Sequence, residues 1–100
     1  MTIVKDDKEY DVIVVGSGGG ALLAAVRAHD LGLSVLVIEK SDQYGGTTAT
    51  SGGAIWIPLN GQAPDNFDSA YTYLKAAVGD TTTDVKVRAY LESGAAMVRY

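Results

Sequence analysis

The sequence predicts an α/β fold with parallel strands. Three observations predict it: two β-branched apolar runs at residues 11–15 and 35–38, a helical segment between them at residues 21–31, and a glycine-rich turn where the first run stops. Two buried strands joined through a helix within about 30 residues form a right-handed parallel βαβ unit, because a hairpin leaves no room for the helix.

Asp11-Val12-Ile13-Val14-Val15 has the unbroken apolar character of a strand buried on both faces, and it ends at Gly16. Leu22, Leu23, Val26 and Leu31 give the following helix its large apolar groups, while Ala21, Ala24, Ala25 and Ala28 keep its surface slim. Arg27 and Asp30 belong on its wet side, and Gly32 is placed to terminate it. Val35-Leu36-Val37-Ile38 is the second strand, closed by Glu39.

Gly16-Ser17-Gly18-Gly19-Gly20-Ala21 fits the pattern G-x-G-x-x-[G/A]. In that pattern the first glycine permits a sharp turn out of the strand and the second lets a pyrophosphate approach the backbone. The third small residue lets the helix pack closely on the sheet. A glycine turn alone is a weak signal. Here it follows a strand, opens a helix, and precedes a second strand ending in an acid about 20 residues on, the arrangement of a Rossmann dinucleotide site. Glu39 is that acid, and its carboxylate can accept from both hydroxyls of an adenosine ribose. The same charge repels a 2′-phosphate, which disfavours NADP.

Beyond Glu39-Lys40 the texture changes. Residues 41–53 are rich in Gly, Ser and Thr and lack an apolar period, so they read as loop. They hold two further glycine clusters, Gly45-Gly46-Thr47-Thr48 and Ser51-Gly52-Gly53. Ala54-Ile55-Trp56-Ile57 follows at once and calls for burial, so a loop pinned between ordered elements reads as a ligand clamp. Two added clusters after the ribose acid favour FAD over NAD. Residues 60–65 read as a surface connection. A second helix is expected with Asp65 as N-cap, Gly79 as its stop, and Phe67, Tyr71, Leu74 and Val78 as its buried stripe. A third starts near Thr83 and places Val87, Tyr90, Leu91, Ala95 and Val98 on one side, with Gly94 as a weak point.

Composition limits the alternatives. The 100 residues carry a net charge of −4 and no cysteine. Thiolate metal sites and thiol nucleophiles are thereby excluded, and nucleic acid is not expected as a main partner because phosphate neutralisation needs clustered Lys and Arg. No apolar stretch is long enough to span a bilayer. Residues 1–9 are too charged for a secretory leader, which leads us to expect a cytoplasmic protein, with association at a membrane surface left open. His29, the single histidine, reads as a surface or capping residue in the last turn of the first helix. Tyr71, Tyr73, Tyr90 and Tyr100 read as packing residues, and Trp56 as core. No metal ligand set is expected.

Residues 11–21, Val37-Ile38-Glu39-Lys40, the run from Tyr44 to Pro58 and Val78-Gly79-Asp80 resemble the N-terminus of the 3-ketosteroid Δ1-dehydrogenases, within the fumarate reductase/succinate dehydrogenase flavoprotein superfamily. The resemblance implies a domain plan. Residues 1–100 would form the N-terminal part of an FAD-binding domain in a longer protein. Residues 10–39 would be its βαβ core, 40–65 a flavin-contacting loop and connection, and 66–100 a helical segment.

It also implies roles. Gly16, Ser17, Gly18, Gly19, Gly20 and Ala21 would hold the pyrophosphate, and Glu39 the ribose with Lys40 beside it. Gly45, Gly46, Thr47 and Thr48 would contact the phosphates and ribityl chain, and Ser51, Gly52 and Gly53 would approach the flavin ring. The implied reaction removes two hydrogens from a 3-oxosteroid: a base takes the C2 proton, an acid polarises the 3-oxo group, and flavin N5 accepts hydride from C1. An electron acceptor then reoxidises the flavin. The family's catalytic tyrosines lie in segments this chain does not reach, so no catalytic residue is assigned. A fumarate-reductase-like enzyme acting on another enone or unsaturated acid, and a non-catalytic nucleotide-binding module, are the competing readings.

Overall fold

The computed structural model describes residues 7–100; residues 1–6 of the segment read above as too charged for a leader lie outside the described residues. The chain divides into two compact units, Met1–Ala54 and Ile55–Tyr100.

The first unit contains β1 (Val12–Val15), α1 (Gly19–Asp30) and β2 (Val35–Ile38). β1 and β2 pair in parallel, with Val12 opposite Val35 and Val15 opposite Ile38. The start of the pair is locked by Asp11, whose Oδ2 accepts from the Ser34 N–H at 2.8 Å and the Ser34 hydroxyl at 2.7 Å. Its end is fixed by the Gly16 N–H, which donates to the Ile38 carbonyl at 2.7 Å.

α1 packs across both strands. Its covered positions are Ala21, Leu23, Ala25 and Ala28, of which Ala21, Ala25 and Ala28 recur at helical spacing and add little bulk to that face. It begins two residues before the expected Ala21, because Gly18 already serves as N-cap. β1 is covered on one face only, with Val12 and Val14 half-buried and Ile13 and Val15 exposed, while in β2 Val35, Leu36 and Val37 are half-buried and Ile38 is exposed. Burial on both faces, expected from the unbroken apolar runs, is therefore not reached among the described residues, because a single helix covers a single face.

After β2 a short 3-10 helix, Gly46–Thr50, interrupts what the composition suggested was plain loop. Its order comes from hydrogen bonds to the βαβ unit, described below.

The second unit contains α2 (Phe67–Val78) and α3 (Asp84–Arg99). Ala70, Val87 and Leu91 form its core, with Leu59, Phe67, Tyr71, Leu74 and Val78 packed around them. The predicted stripe of α2 is thus the buried one. Its cap is not Asp65 but Asn66, whose side chain accepts from the Ser69 N–H at 2.9 Å. Asp65 is occupied elsewhere: its Oδ2 accepts from the Leu59 N–H at 2.6 Å and supports a turn in which Leu59 takes the left-handed conformation. Gly79 ends α2 and Thr83 caps α3, as read from the sequence.

Gly94 is no weak point. α3 runs through it unbroken, and a Cβ there would stand 2.7 Å from Ile57 Cγ2, so the missing side chain permits close packing. Ile55, expected to be buried, is 73% exposed, and Trp56 is 45% exposed. Trp56 packs beside Tyr73 and Tyr90, with ring centroids 5.2 and 6.3 Å away, and its carbonyl accepts from the Tyr90 hydroxyl. Its neighbours are rim aromatics, not the aliphatic core. Tyr73 and Tyr100 are likewise exposed, and His29 lies on the surface.

Candidate functional site

At the carboxyl ends of β1 and β2 lies a cleft of about 490 Å³, lined by Val15, Gly16, Ser17, Gly18, Ile38, Glu39, Lys40 and Gly46. Open α/β sheets bind ligands at this end of their strands, because the turns into the following helices leave a crevice there. The volume lies within the ~300–1,000 Å³ of small-molecule sites.

Gly16 makes the turn out of β1 with a φ of +101°, a conformation that strains any side-chain-bearing residue. Gly18 then caps α1 without a side chain, and the first turn of the helix contains no acid. The positive end of the helix dipole beside the cleft is therefore not neutralised by an acid, which suits an anion. Gly46 approaches the turn so closely that a Cβ on it would stand 3.4 Å from Gly18 Cα, and its φ is +56°.

Three polar links hold the walls together. The Ser17 hydroxyl donates to Glu39 Oε2. Ser17 Oγ in turn accepts from the Gly45 N–H at 3.0 Å. The Gly19 N–H donates to Thr48 Oγ1 at 2.9 Å, which anchors the 3-10 helix on the first turn of α1. Glu39 is further fixed by the Ser41 N–H, at 2.9 Å from Oε1. The Ser17 hydroxyl first, and the Ser41 N–H second, hold the Glu39 carboxyl below the ordinary carboxylate value, since both stabilise its charged form.

Of the residues singled out in the sequence, Gly16, Ser17, Gly18, Glu39, Lys40 and Gly46 line this one cleft. Gly45 and Thr48 are tied to it by the hydrogen bonds above. Gly19, Gly20 and Ala21 form the first turn of α1 behind it. Thr47, Ser51, Gly52 and Gly53 do not line it. Ser51 instead closes a local turn, its hydroxyl donating to the Thr48 carbonyl at 2.7 Å and accepting from the Gly53 N–H at 3.2 Å. Val15 and Ile38 were not singled out, yet they give the cleft apolar walls. The signal for them was their position as the last residue of each strand. Among the described residues no group of three or more His, Cys, Asp or Glu side chains converges as a metal site would, and no helix is long and apolar enough to cross a membrane.

The arrangement fits the adenosine diphosphate half of FAD. A glycine-rich turn leads into the start of α1, space beside Gly16 and Gly20 is open to 4 Å, and a carboxylate stands at the end of the second strand.

Comparison with known proteins agrees with this geometry. The chain is 46% identical over 99 residues to a 3-oxosteroid 1-dehydrogenase of Comamonas testosteroni, a match covering 94% of this chain and 17% of that protein. It is 41% identical over 96 residues to a 4-oxocyclohexanecarboxylate 2-dehydrogenase of Sinomonas cyclohexanicum, covering 91% of this chain and 17% of that one. The crystal structure of a 3-ketosteroid Δ1-dehydrogenase from Sterolibacterium denitrificans, in complex with 1,4-androstadiene-3,17-dione, superposes with a TM-score of 0.78 at 66% identity, covering 91% of this chain and 17% of that one. The chain thus spans about a sixth of the length of these relatives. The family described as FAD binding domain matches residues 11–100. On the cleft, the glycine turn and that match, the chain belongs to the FAD-binding domain family.

Proposed function

We propose that this chain is the FAD-holding part of a dehydrogenase that introduces a 1,2-double bond into 3-oxosteroids. The observation that carries the reading is the convergence of Gly16, Gly18, Glu39 and Gly46 on one cleft, in a chain similar to 3-oxosteroid 1-dehydrogenases over nearly its whole length.

In this reading Gly16 to Ala21 cradle the pyrophosphate at the start of α1, and Glu39 accepts from the ribose hydroxyls with Lys40 beside it. Gly45, Gly46, Thr47 and Thr48 continue along the phosphates and ribityl chain, and Ser51, Gly52 and Gly53 extend toward the flavin ring. Residues 10–39, 40–65 and 66–100 serve as core, clamp and supporting helices. When bound, FAD supplies a two-electron acceptor for a hydride. The residues of this chain bind and orient it; the groups that move the substrate's protons, the electron acceptor and the substrate pocket belong to other segments. A cytoplasmic location, at or away from a membrane surface, completes the proposal.

The test uses the full-length protein. Chromatography of the ligand released on denaturation should yield FAD, and 3-oxosteroids should reduce an artificial electron acceptor in its presence. Recovery of a nicotinamide dinucleotide alone would overturn the cofactor assignment. Turnover of 4-oxocyclohexanecarboxylate or fumarate with none of the steroid would overturn the substrate.

A further inference from the structure

Ser17 is the one side chain of the glycine-rich turn that carries a hydroxyl, and it is 3% exposed. A hydroxyl has one hydrogen to give. Here that hydrogen goes to Glu39 Oε2, while the oxygen accepts from the Gly45 N–H. The hydroxyl therefore has no hydrogen left for a phosphate. It joins the turn after β1, the residue after β2 and the start of the Gly-Gly-Thr segment through one atom of the cleft wall.

The consequence falls on Glu39. One donor, Ser17, holds Oε2, and another, the Ser41 N–H, holds Oε1. The backbone N–H groups of Lys40 and Ser17 also favour its charged form, so the turn after β1 and the residues after β2 together orient the carboxylate. A Glu side chain left to itself samples many rotamers, and ordering it on binding weakens the complex. Fixing it beforehand removes that cost.

We propose that Ser17 is a positioning residue for Glu39, aiming its carboxylate at the ribose diol of the cofactor, and that its hydroxyl does not bind the pyrophosphate. The inference rests on Glu39 being the ribose acid, as set out above.

The test is competition against FAD on the purified protein stripped of cofactor, with ADP and 2′-deoxy-ADP as competitors. The parent protein should prefer ADP by about 10-fold, the size expected for one hydroxyl donating to a carboxylate. Ser17→Ala should bring that preference close to unity, mainly by weakening ADP. Ser17→Cys, close in volume but a weak donor, should do the same and decides the matter if the alanine variant does not fold. A residue that merely fills space behind the turn would lower the melting temperature and leave the preference intact. Folded variants with the parent's ADP preference would therefore overturn the role of Ser17 while leaving Glu39 as the ribose acid. A parent protein that does not distinguish the two nucleotides would instead overturn the reading of Glu39, and the inference with it.

Discussion

In the unit up to Ala54, the links between distant parts of the chain are polar: Asp11 to Ser34, Ser17 to Glu39 and Gly45, and Gly19 to Thr48. In the unit from Ile55 onward they are mostly apolar, with Val87 and Leu91 only 2% and 1% exposed and a ring of Leu, Phe, Tyr and Val around them. The first unit has one buried hydrophobic residue, Ala25, among those described. The contrast teaches that the two units are built for different ends. On the proposed reading, a region that presents N–H groups and a carboxylate to a large anionic ligand does not fill that space with methyl groups. It is held in shape by hydrogen bonds around an open cleft. A region with no such demand closes around apolar side chains.

The largest effect that would break this comparison is Gly18→Val. A Cβ at position 18 would stand 3.9 Å from Thr48 Oγ1, an ordinary contact, and the φ of Gly18 is −70°. The unit therefore has room for a Cβ there, and on the proposed reading the branched group projects where the pyrophosphate lies. FAD affinity should fall by about 100-fold or more, with the circular dichroism of the protein unchanged. A folded variant with full flavin occupancy would show that the turn is only a turn.

Leu91→Ala should do the reverse. Removing a fully buried leucine costs about 2–5 kcal/mol in cores of this kind. The loss should appear in thermal or urea unfolding, while FAD affinity measured well below the melting temperature stays within about 2-fold of the parent, since no cleft residue is touched. A fall in affinity as large as that of Gly18→Val would mean that the division of labour is false.

Gly94→Ala sharpens the same point on a smaller scale. Alanine is the better helix former by about 1 kcal/mol, and on an exposed face it would stabilise α3. At Gly94 the added methyl meets Ile57 Cγ2 at 2.7 Å, and a β-branched side chain gives way poorly. We expect a net destabilisation of about 1–2 kcal/mol, the usual result of overpacking. A rise in melting temperature would show that Ile57 moves aside freely.

Gly94 also marks where reading the sequence stopped. The strands, α1, the stripe of α2 and the glycine turn were legible because each is a local pattern with a fixed period or fixed turn chemistry. The reason for Gly94 lies 37 positions away at Ile57. Asp65 and Asn66 are both good caps, and the choice between them was made by the Leu59 N–H, which claims Asp65. At the cleft, Gly16, Gly18, Glu39 and Lys40 were legible from spacing. The pairing of Ser17 with Glu39 and of Gly19 with Thr48, 22 and 29 residues apart, needed the folded chain. The exposure of Ile55 was not legible either, because an apolar string states a preference for burial but not whether anything covers it.

The smallest effect concerns acid. Glu39 in one unit and Asp84 in the other are both held below their ordinary values of 4.5 and 3.8, each first by a hydroxyl: Ser17 for Glu39, Tyr71 for Asp84. For Asp84 the Arg88 guanidinium adds a hydrogen bond at 2.8 Å, and it also lies over the rings of Phe67 and Tyr71. A depressed value in the folded state means that folding favours the charged form. The contribution is therefore complete above the ordinary value and is lost as pH falls through the depressed one. Both groups are near solvent, so their contributions are screened and smaller than either core substitution above. The comparison predicts different readouts for the same titration. On the proposed reading the charged Glu39 is a ribose acceptor, so FAD affinity should hold from neutral pH and fall only as pH drops through the depressed value, below 4.5, and Glu39→Gln should weaken affinity at neutral pH and flatten that fall. Protonating Asp84 loosens the join between α2 and α3, so Asp84→Asn should slightly lower the melting temperature at neutral pH and leave the acid dependence of FAD affinity unchanged. Flavin titrations and melting curves between pH 7 and about 3.5 on the two variants would separate these responses. An Asp84→Asn protein whose flavin affinity no longer depends on acid would place the titrating group in the wrong unit.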